Sequence, residues 1–414
     1  MEVLKIATAG SVDDGKSTLI GRLLYDTRSL TDDKIEAIER NSRSKGYDYL
    51  DFSLATDGLI AEREQGITID VAHIYFSTAK RSFIIADTPG HAEYTRNMVT
   101  GASTSQASII LVDARNGVTE QTKRHFFINN LLRIKDVIIA INKMDLLDFD
   151  QTKFESIKNQ MKALALKLDF KGQHLSFIPI SALKGDNVVE KSVNMSWYSG
   201  ETLLEHLEKI QNNDILEKAQ FRFPVQTVIR PKSEAFHDFR GYAGKTLGDD
   251  LRVGDEVIVL PSKMKSKIKE IFFFNEKFES APRGSSITIT LEDDVNISRG
   301  DMIVKSNEIP KVDKEILAAI CWMDSNPLKA RNKYILQHGV NSVLSKIESI
   351  ESLYNLHLDT EMHTEELNLN EIGKVRIKVN KPLFYDPYKE NKANGAFILI
   401  DPQSNTTAGV GFIQ

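Results

Sequence analysis

The chain has 414 residues, of which 41% are hydrophobic and 27% are charged, and its formal net charge is -5. This length exceeds what one hydrophobic core usually serves, and we predict three domains. Hydrophobic content at this level fits a folded protein and excludes a mainly disordered one. The acidic balance gives no overall basic surface of the kind that binds nucleic acids, so no nucleic acid partner is expected.

Several features of the sequence favour a cytoplasmic protein. The N-terminal stretch MEVLKIATAG enters a strand-like segment at once and lacks the basic start, apolar core and cleavage site of an export signal. Apolar runs such as residues 109–112 and 137–141 are far shorter than the roughly 18 residues of a membrane span. Cys321, the one cysteine, lies in the apolar stretch AAICWM, where we expect a buried thiol. We therefore expect a soluble protein with no membrane contact.

From residue 3 to about residue 210, short apolar strands alternate with amphipathic helical stretches. The strand-like segments are VLKIAT, FIIAD, SIILVDA, DVIIAINK and SFIPIS. A helix is expected from Lys16, another over residues 154–168, and a charged, mostly helical insertion between residues 25 and 70. This alternation predicts an α/β domain at residues 1–215, with a mostly parallel sheet and helices on both faces.

After about residue 221 the pattern changes to short strands separated by glycines. The first series is RFPVQTVIR, FRGYAGKTL, GDEVIVLP, KIKEIFFF, SSITITL and GDMIVK, and a second series runs from Ile316 to the end of the chain. Because no long helix intervenes, each series predicts an all-β barrel, and we assign the barrels to residues 220–308 and 312–414. The segment SNEIPKVDK is predicted to link them.

The segment GSVDDGKS fits the phosphate-loop pattern GxxxxGK[ST] and lies between a predicted strand and a predicted helix. Backbone N–H groups of such a loop point at phosphates, Lys16 can neutralise the β and γ oxygens, and Ser17 can offer its hydroxyl to Mg²⁺. A chance match in a glycine loop is the alternative, and the flanking elements argue against it. The predicted nucleotide-binding residues here are Gly10, Ser11, Val12, Asp13, Asp14, Gly15, Lys16, Ser17 and Thr18.

The sequence DTPGH follows the apolar strand FIIA. Asp87 can hold Mg²⁺ through a water, and Gly90 leaves its amide free for a γ-phosphate. An ordinary turn is the alternative for these residue types, but their position after a phosphate loop favours the nucleotide site. His91 can orient an attacking water, although a histidine that opens a helix is often only a cap or surface residue. The predicted binding residues are Asp87, Thr88, Pro89, Gly90 and His91.

The sequence NKMD ends the strand VIIAI, where ligands of open parallel sheets bind. A carboxylate at Asp145 can accept from N1–H and the exocyclic amino group of guanine, whereas adenine lacks that donor pair. A site built in this way can reject an analogue by roughly 10⁴ to 10⁵. The expected base-binding residues are Asn142, Lys143 and Asp145, with weaker support from Ser181, Ala182 and Leu183.

The sequence GITID precedes the strand AHIYF and contains Thr68. A threonine in a mobile loop can bind Mg²⁺ and a γ-phosphate and then release them after hydrolysis, although a plain strand start is the alternative. We therefore predict GTP or GDP with Mg²⁺ as ligands and Lys16, Thr68 and His91 as catalytic residues. The predicted metal ligands are Ser17, Thr68 and, through water, Asp87. The remaining histidines show no ligand spacing, and a cysteine pair for zinc is missing from the sequence.

Together these motifs and the two β domains resemble the translational-type GTPases, the group of elongation factor Tu and elongation factor 1-alpha. Longer stretches are more similar to the GTPase subunit of bacterial ATP sulfurylase, among them GSVDDGKSTLIGRLLYDT, TDGLIAEREQGITIDVAHIYF and FILIDPQSNTTAGVGFI. Elongation factors usually have His where this chain has Ser11, and here Asp13 is followed by Asp14. The chain departs from the family in PSKMKSKIKEI, which lacks a glycine expected after Ser262, and at residues 275–283.

The resemblance implies a GTP-hydrolysing subunit of ATP sulfurylase, an ATP-binding nucleotidyltransferase, in a heterodimer or larger assembly. Its smaller catalytic partner makes adenosine 5′-phosphosulfate from ATP and sulfate, and GTP hydrolysis drives that step. By resemblance, Val12 and Ile67 form an apolar gate beside the water that His91 positions. Some relatives carry a fused kinase domain, and we expect none here because the sequence stops at Gln414, shortly after the third predicted domain.

The alternative function is that of an elongation-factor-like carrier, which delivers aminoacyl-tRNA or a termination partner to the ribosome. Ser11, Asp13, Asp14 and the stretch FILIDPQSNTT favour the sulfurylase subunit by resemblance. The residues by themselves, without the resemblance, indicate only a three-domain GTPase.

Overall fold

A computed structural model of the chain describes residues 2–44, 46–47, 49–52, 71–90, 95–168, 170–211, 220–231, 239–274, 276–354 and 361–414. Its described residues form two compact units, one before residue 212 and one after residue 219. Among the described residues, no helix is long and apolar enough to cross a membrane.

The first unit is built on a six-stranded sheet. The strands are β1 (Val3–Ala9), β2 (Ala72–Ser77), β3 (Ser82–Asp87), β4 (Ala107–Asp113), β5 (Asp136–Asn142) and β6 (His174–Pro179), and their order in the sheet is β2-β3-β1-β4-β5-β6. All neighbours are parallel except the edge strand β2, which runs antiparallel to β3. Every residue of β4 is buried, as expected for a parallel strand covered on both faces. The predicted mostly parallel sheet is confirmed.

Three of the helices of this unit begin after a residue whose side chain caps them. The helices are α1 (Lys16–Asp26), α2 (Asp32–Ser44), α3 (Thr95–Ala102), α4 (Glu120–Leu131), α5 (Gln151–Lys167) and α6 (Leu203–Lys209), with a 3₁₀ turn at Met144–Leu147. Thr119 caps α4, and Thr202 with Glu205 forms a capping box at α6. Leu19 and Leu23 of α1 lie one turn apart and pack into the core beneath the sheet. Because the parallel strands run the same way, the loops that follow them meet at one edge.

The second unit begins with a closed six-stranded barrel. The strands of this part are β7 (Arg222–Ile229), β8 (Gly241–Lys245), β9 (Leu251–Arg252), β10 (Glu256–Leu260), β11 (Met264–Phe273), β12 (Glu276–Phe278), β13 (Ser280–Ala281), β14 (Ser286–Leu291) and β15 (Met302–Lys305). The order of strands around the barrel is β10-β15-β7-β8-β14-β11, and β11 pairs with β10 to close it. Lys263, in the β10–β11 turn, adopts a φ of 61°. The chain thus uses a lysine in a left-handed conformation at the position where the family resemblance suggested glycine.

A second closed barrel follows. The elements are β16 (Lys311–Trp322), β17 (Leu328–Lys329), β18 (Lys333–His338), β19 (Asn341–Tyr354), β20 (Glu361–Met362), β21 (Glu366–Leu367), β22 (Ile372–Tyr385), the short helix α7 (Lys392–Gly395), β23 (Ala396–Ile400) and β24 (Thr407–Ile413). The order of strands around this barrel is β18-β23-β24-β16-β22-β19, and β19 pairs with β18 to close it. Cys321 is buried, as expected. The predicted strand start at Ile316 is wrong by five residues, because the polar segment from Lys311 already pairs with β22.

A buried charge pair joins the two barrels. The guanidinium of Arg222 donates to Asp386 twice, from Nη2 to Oδ1 at 2.7 Å and from Nε to Oδ2 at 3.0 Å. It also donates to the Glu308 carbonyl at 2.6 Å and to Gln220 Oε1 at 2.6 Å, and Asn394 Nδ2 donates to Asp386 at 2.8 Å. Arg222 is fully buried. Removing one member of such a pair leaves an uncompensated charge away from water.

We predict that Arg222→Met lowers the free energy of unfolding of the second unit by about 3–5 kcal/mol, because the buried carboxylate of Asp386 then loses its countercharge. Urea unfolding in a Trp197→Phe background measures this, since the fluorescence then comes from Trp322 in the second barrel. Adding Asp386→Leu is expected to recover part of the loss.

The control is Arg376→Met, which removes an arginine from the exposed pair with Glu351 and is expected to have little effect. An unchanged urea midpoint for Arg222→Met would show that the buried pair does not hold the barrels together.

Candidate nucleotide-binding site

The predicted phosphate loop lies between β1 and α1. Gly15, the N-cap residue of α1, has a φ of 95°, and a Cβ there would lie 2.5 Å from Asn142 Nδ2. This position therefore needs glycine for both conformation and space. Lys16 Nζ folds over the loop and donates to the Gly10 carbonyl at 3.0 Å. The loop is thus closed around its own lysine.

Lys16 is buried and lies among carboxylates. Burial lowers its pKa because the charged form is desolvated, while the negative charges of Asp87, Asp14 and Asp13 act in the opposite direction. A lysine held in this way gains electrostatic stabilisation from an anion placed beside it. The arrangement can therefore accept a phosphate group.

The loop that follows β3 contacts the phosphate loop. Asp87 is 3% exposed and accepts a hydrogen bond from Thr8 Oγ1 at 3.0 Å, while Thr88 Oγ1 donates to the Thr8 carbonyl at 2.5 Å. A Cβ on Gly90 would collide with the Gly10 carbonyl oxygen and with Lys16 Nζ. Gly90 therefore brings its backbone against the phosphate loop, which a larger residue could not do.

Asn142, at the end of β5, joins two other loops. Its Nδ2 donates to the Asp14 carbonyl at 2.8 Å, and its Oδ1 accepts from the Ala182 amide at 2.9 Å. Asn142 is buried, so both halves of the amide need these partners. One side chain thus fixes the distance between the phosphate loop and the loop after β6.

Lys143 holds a second residue of the phosphate loop, Asp13, in place. Its Nζ donates to the Asp13 carbonyl and forms an ion pair with Asp113 at 3.1 Å. Arg115 also pairs with Asp113, at 2.7 Å. Burial by itself would raise the pKa of Asp113, but the hydrogen bonds from Arg115 and Lys143 outweigh it and lower that pKa. Asp113 is therefore a buried anion that holds two cations in position.

Asp145 lies in the 3₁₀ turn and is partly exposed. Within the described ranges its carboxylate accepts no hydrogen bond. On the other side of the edge, Ser181 Oγ accepts from the Lys184 amide at 3.2 Å, and the Leu183 carbonyl accepts from Arg22 Nη1 at 3.3 Å. Asp145 is thus left able to accept hydrogen bonds from a ligand.

Nearly all predicted site residues follow strands or open α1 at this one edge of the sheet. The described ones are Gly10, Ser11, Val12, Asp13, Asp14, Gly15, Lys16, Ser17, Thr18, Asp87, Thr88, Pro89, Gly90, Asn142, Lys143, Asp145, Ser181, Ala182 and Leu183. Thr68, His91 and the proposed gate residue Ile67 lie outside the described residues, so their roles stay predictions.

Four supporting residues were not predicted from the motifs. They hold Asp87, Lys143 and the 181–183 loop in place and are Thr8, Arg22, Asp113 and Arg115. Asp113 had a visible signal, because it directly follows the buried strand SIILV, as Asp87 follows FIIA. In the described part of the chain, no group of three or more His, Cys, Asp or Glu side chains can hold a metal ion by itself.

Two family models match the chain. The elongation factor Tu GTP binding domain matches residues 1–215, and a family described as GTP-eEF1A C-terminal domain-like matches residues 315–414. A solved structure of Sup35 complexed with GMPPNP covers 100% of this chain and 93% of its own, at 18% identity and a TM-score of 0.43, a likeness too weak to bear on the assignment.

Several similar curated proteins are named sulfate adenylyltransferase subunit 1. Sulfate adenylyltransferase subunit 1 of Colwellia psychrerythraea is 46% identical over 100% of this chain and 88% of the relative, and that of Bacteroides fragilis is 47% identical over 100% and 86%. The bifunctional enzyme CysN/CysC of Mycobacterium tuberculosis is 47% identical over 99% of this chain and 67% of its own length. This chain therefore belongs to the sulfate adenylyltransferase subunit 1 family, with a GTP-binding domain of the elongation factor Tu type at residues 1–215.

Proposed function

We propose that this chain binds and hydrolyses GTP and that hydrolysis drives synthesis of adenosine 5′-phosphosulfate by a smaller catalytic subunit of sulfate adenylyltransferase. The observation that carries the nucleotide site is the bridge from Asn142 to both Asp14 and Ala182, which ties three separate motifs into one edge. The names of the relatives support the reaction, and the words "subunit 1" support a partner.

In the proposed complex, the triphosphate lies on the loop from Gly10 to Ser17. Backbone N–H groups at the start of α1 face the phosphates, since the first N–H groups of a helix lack partners within it. Lys16, which is desolvated and near carboxylates, exchanges its bond to the Gly10 carbonyl for phosphate oxygens. The close approach of Gly90 supports its role beside the γ-phosphate.

The guanine base is proposed to lie between the loops that contain Asp145 and Ser181. The carboxylate of Asp145, which accepts no hydrogen bond from a described residue, accepts from N1–H and the 2-amino group. Asn142 and Lys143 hold the two loops and the phosphate loop at a constant separation. Selectivity against adenine follows because adenine would leave the carboxylate unpaired.

Magnesium fits the oxygen ligands at the phosphate end. Asp87 is a buried carboxylate, and the Ser17 hydroxyl makes no hydrogen bond within the described ranges. Hard oxygen ligands supplemented by phosphates and water suit Mg²⁺. Ser17, Asp87 through water, and Thr68 are proposed to hold it. When bound, the ion would neutralise charge on the β and γ oxygens.

In the hydrolytic step, water attacks the γ-phosphorus, the bond to the β–γ bridging oxygen breaks, and GDP and phosphate leave. His91 is proposed to orient the water, and Lys16 stabilises the negative charge that develops on the departing oxygens. Thr68 contacts the γ-phosphate before cleavage and releases it afterwards. These roles rest on motif position, since both His91 and Thr68 lie outside the described residues.

Coupling requires that the GTP and GDP forms bind the catalytic subunit or its intermediates with different affinities. We propose a heterodimer or larger assembly of the two subunits in the cytoplasm, and the single, buried cysteine supports a reducing compartment. The described residues offer no observation that favours the alternative of an aminoacyl-tRNA carrier.

We predict that Lys16→Ala weakens GTP binding by on the order of 10²- to 10³-fold, because the triphosphate then meets Asp14 and Asp87 without a neutralising cation. Titration calorimetry measures the dissociation constant. Lys153→Ala, at an exposed position of α5, is the control and is expected to bind as the parent does. Parental affinity in Lys16→Ala would refute the phosphate-loop assignment.

We predict that Asp145→Asn weakens GTP binding by roughly 10²-fold and improves acceptance of xanthosine triphosphate, since two charged hydrogen bonds are lost and the 2-oxo group suits an amide donor. The near-isosteric change leaves the fold intact. Competition binding against both nucleotides provides the measurement, with the exposed Asp148→Asn as the control. An unaltered preference for GTP would exclude Asp145 as the guanine reader.

We predict that His91→Ala leaves GTP binding nearly intact and lowers GTP turnover by on the order of 10²- to 10⁴-fold. In the complex with the catalytic subunit, adenosine 5′-phosphosulfate synthesis is expected to fall in the same proportion wherever it depends on GTP. Phosphate release and adenosine 5′-phosphosulfate are measured on one preparation, with and without GTP.

His174→Ala, which changes an exposed histidine, serves as the control for that experiment. If GTP only activated the complex allosterically, the His91→Ala variant would hold GTP longer and synthesis would persist. That outcome would overturn energy coupling and leave the GTPase assignment in place.

A further inference from the structure

Asp14 points into the phosphate loop, whereas the preceding residue, Asp13, is exposed. Asp14 is 4% exposed, and its Oδ2 accepts the backbone N–H of Ser11 at 2.6 Å. Its own N–H donates to the Ser11 carbonyl at 3.2 Å. The two bonds close a turn over residues 11–14, so the side chain of Asp14 determines the shape of the loop that precedes Lys16.

The same carboxylate brings a negative charge into the loop. Burial raises the pKa of Asp14 because water is excluded from the charged form, and Asp113 adds to that effect. The Ser11 N–H, Lys16 and Lys143 oppose it, but Lys16 is shared with Asp87 and Asp13. The cations near Asp14 are therefore already engaged before a ligand arrives.

A nucleotide in this loop would place further negative charge near Asp14. Like charges repel, and a buried pair is screened less by water and salt than an exposed one. The acceptor and the charge of Asp14 therefore have opposite consequences for binding: the acceptor keeps the loop in shape, whereas the charge disfavours the phosphates. An asparagine separates these effects, because its amide oxygen can accept from Ser11 without carrying a charge.

We propose that Asp14 is a positioning residue that holds the phosphate loop through Ser11 and, through its charge, shortens the residence time of bound nucleotide. This inference rests on the proposed function, since it assumes that the loop receives a guanine nucleotide. On this proposal the charge of Asp14 repels the diphosphate and thereby speeds the release of GDP without an exchange protein.

The test compares the full-length parent with Asp14→Asn and Asp14→Ala, using N-methylanthraniloyl-GDP with Mg²⁺ in stopped-flow displacement. Asp14→Asn is expected to slow GDP release about tenfold, which corresponds to about 1.4 kcal/mol. The slower release is expected to persist at high salt, because the charge is buried. Asp14→Ala loses charge and acceptor together and is expected to bind more weakly than Asp14→Asn.

The control is Glu155→Gln, which removes one exposed carboxylate from α5 and is expected to release GDP as the parent does. Release from Asp14→Asn as fast as from the parent would overturn the charge role. Equal affinity of Asp14→Ala and Asp14→Asn, with both folded by circular dichroism, would overturn the positioning role. A parent that binds no N-methylanthraniloyl-GDP would overturn the proposed function and this inference with it.

Discussion

The structure of the first unit depends on the hydrogen bonds of the Asn142 side chain. A buried amide is stable only when both its donor and its acceptor are satisfied, and here the partners belong to the loops after β1 and β6. The contact also explains why Gly15 cannot be replaced easily, since a Cβ would occupy the place of the amide nitrogen. Three loops that are far apart in the chain thereby keep one geometry.

Around this constraint the site collects opposite charges at short range. Lys16 and Lys143 lie near Asp13, Asp14 and Asp113, and burial makes each unpaired charge costly. Two cations face three carboxylates in this set, and a phosphate would add a further anion. The proposed effect of Asp14 on nucleotide release follows from this balance, as does the proposed dependence of binding on Lys16.

In the second unit, a charge pair performs the equivalent structural task for two barrels. Arg222 finds partners from both barrels, so each barrel satisfies a charge of the other. The barrels differ in sequence yet each closes through six paired strands.

The sequence by itself determined the family and the fold class, and both are confirmed. Motifs such as GSVDDGKS and NKMD combine residue types with spacing set by a strand, a loop and a helix, and this local information is contained in the chain. The strand alternation before residue 210 predicted the sheet because buried parallel strands are short apolar runs. The predicted domain boundaries and the roles of Thr68 and His91 stay predictions.

Only the tertiary structure decided which groups meet. The partners of Asn142, the hydrogen bond from Thr8 to Asp87 and the ion pair of Lys143 with Asp113 join residues that lie far apart in the chain. The tertiary structure also decides that the side chain of Asp14 is buried and that of Asp13 is exposed, because two adjacent aspartates differ only in their surroundings. The polar start of β16 was missed because its strand pairing with β22, and not its own hydrophobicity, makes it a strand. Burial and hydrogen bonding across the fold depend on distances in space, which the order of residues along the chain does not state.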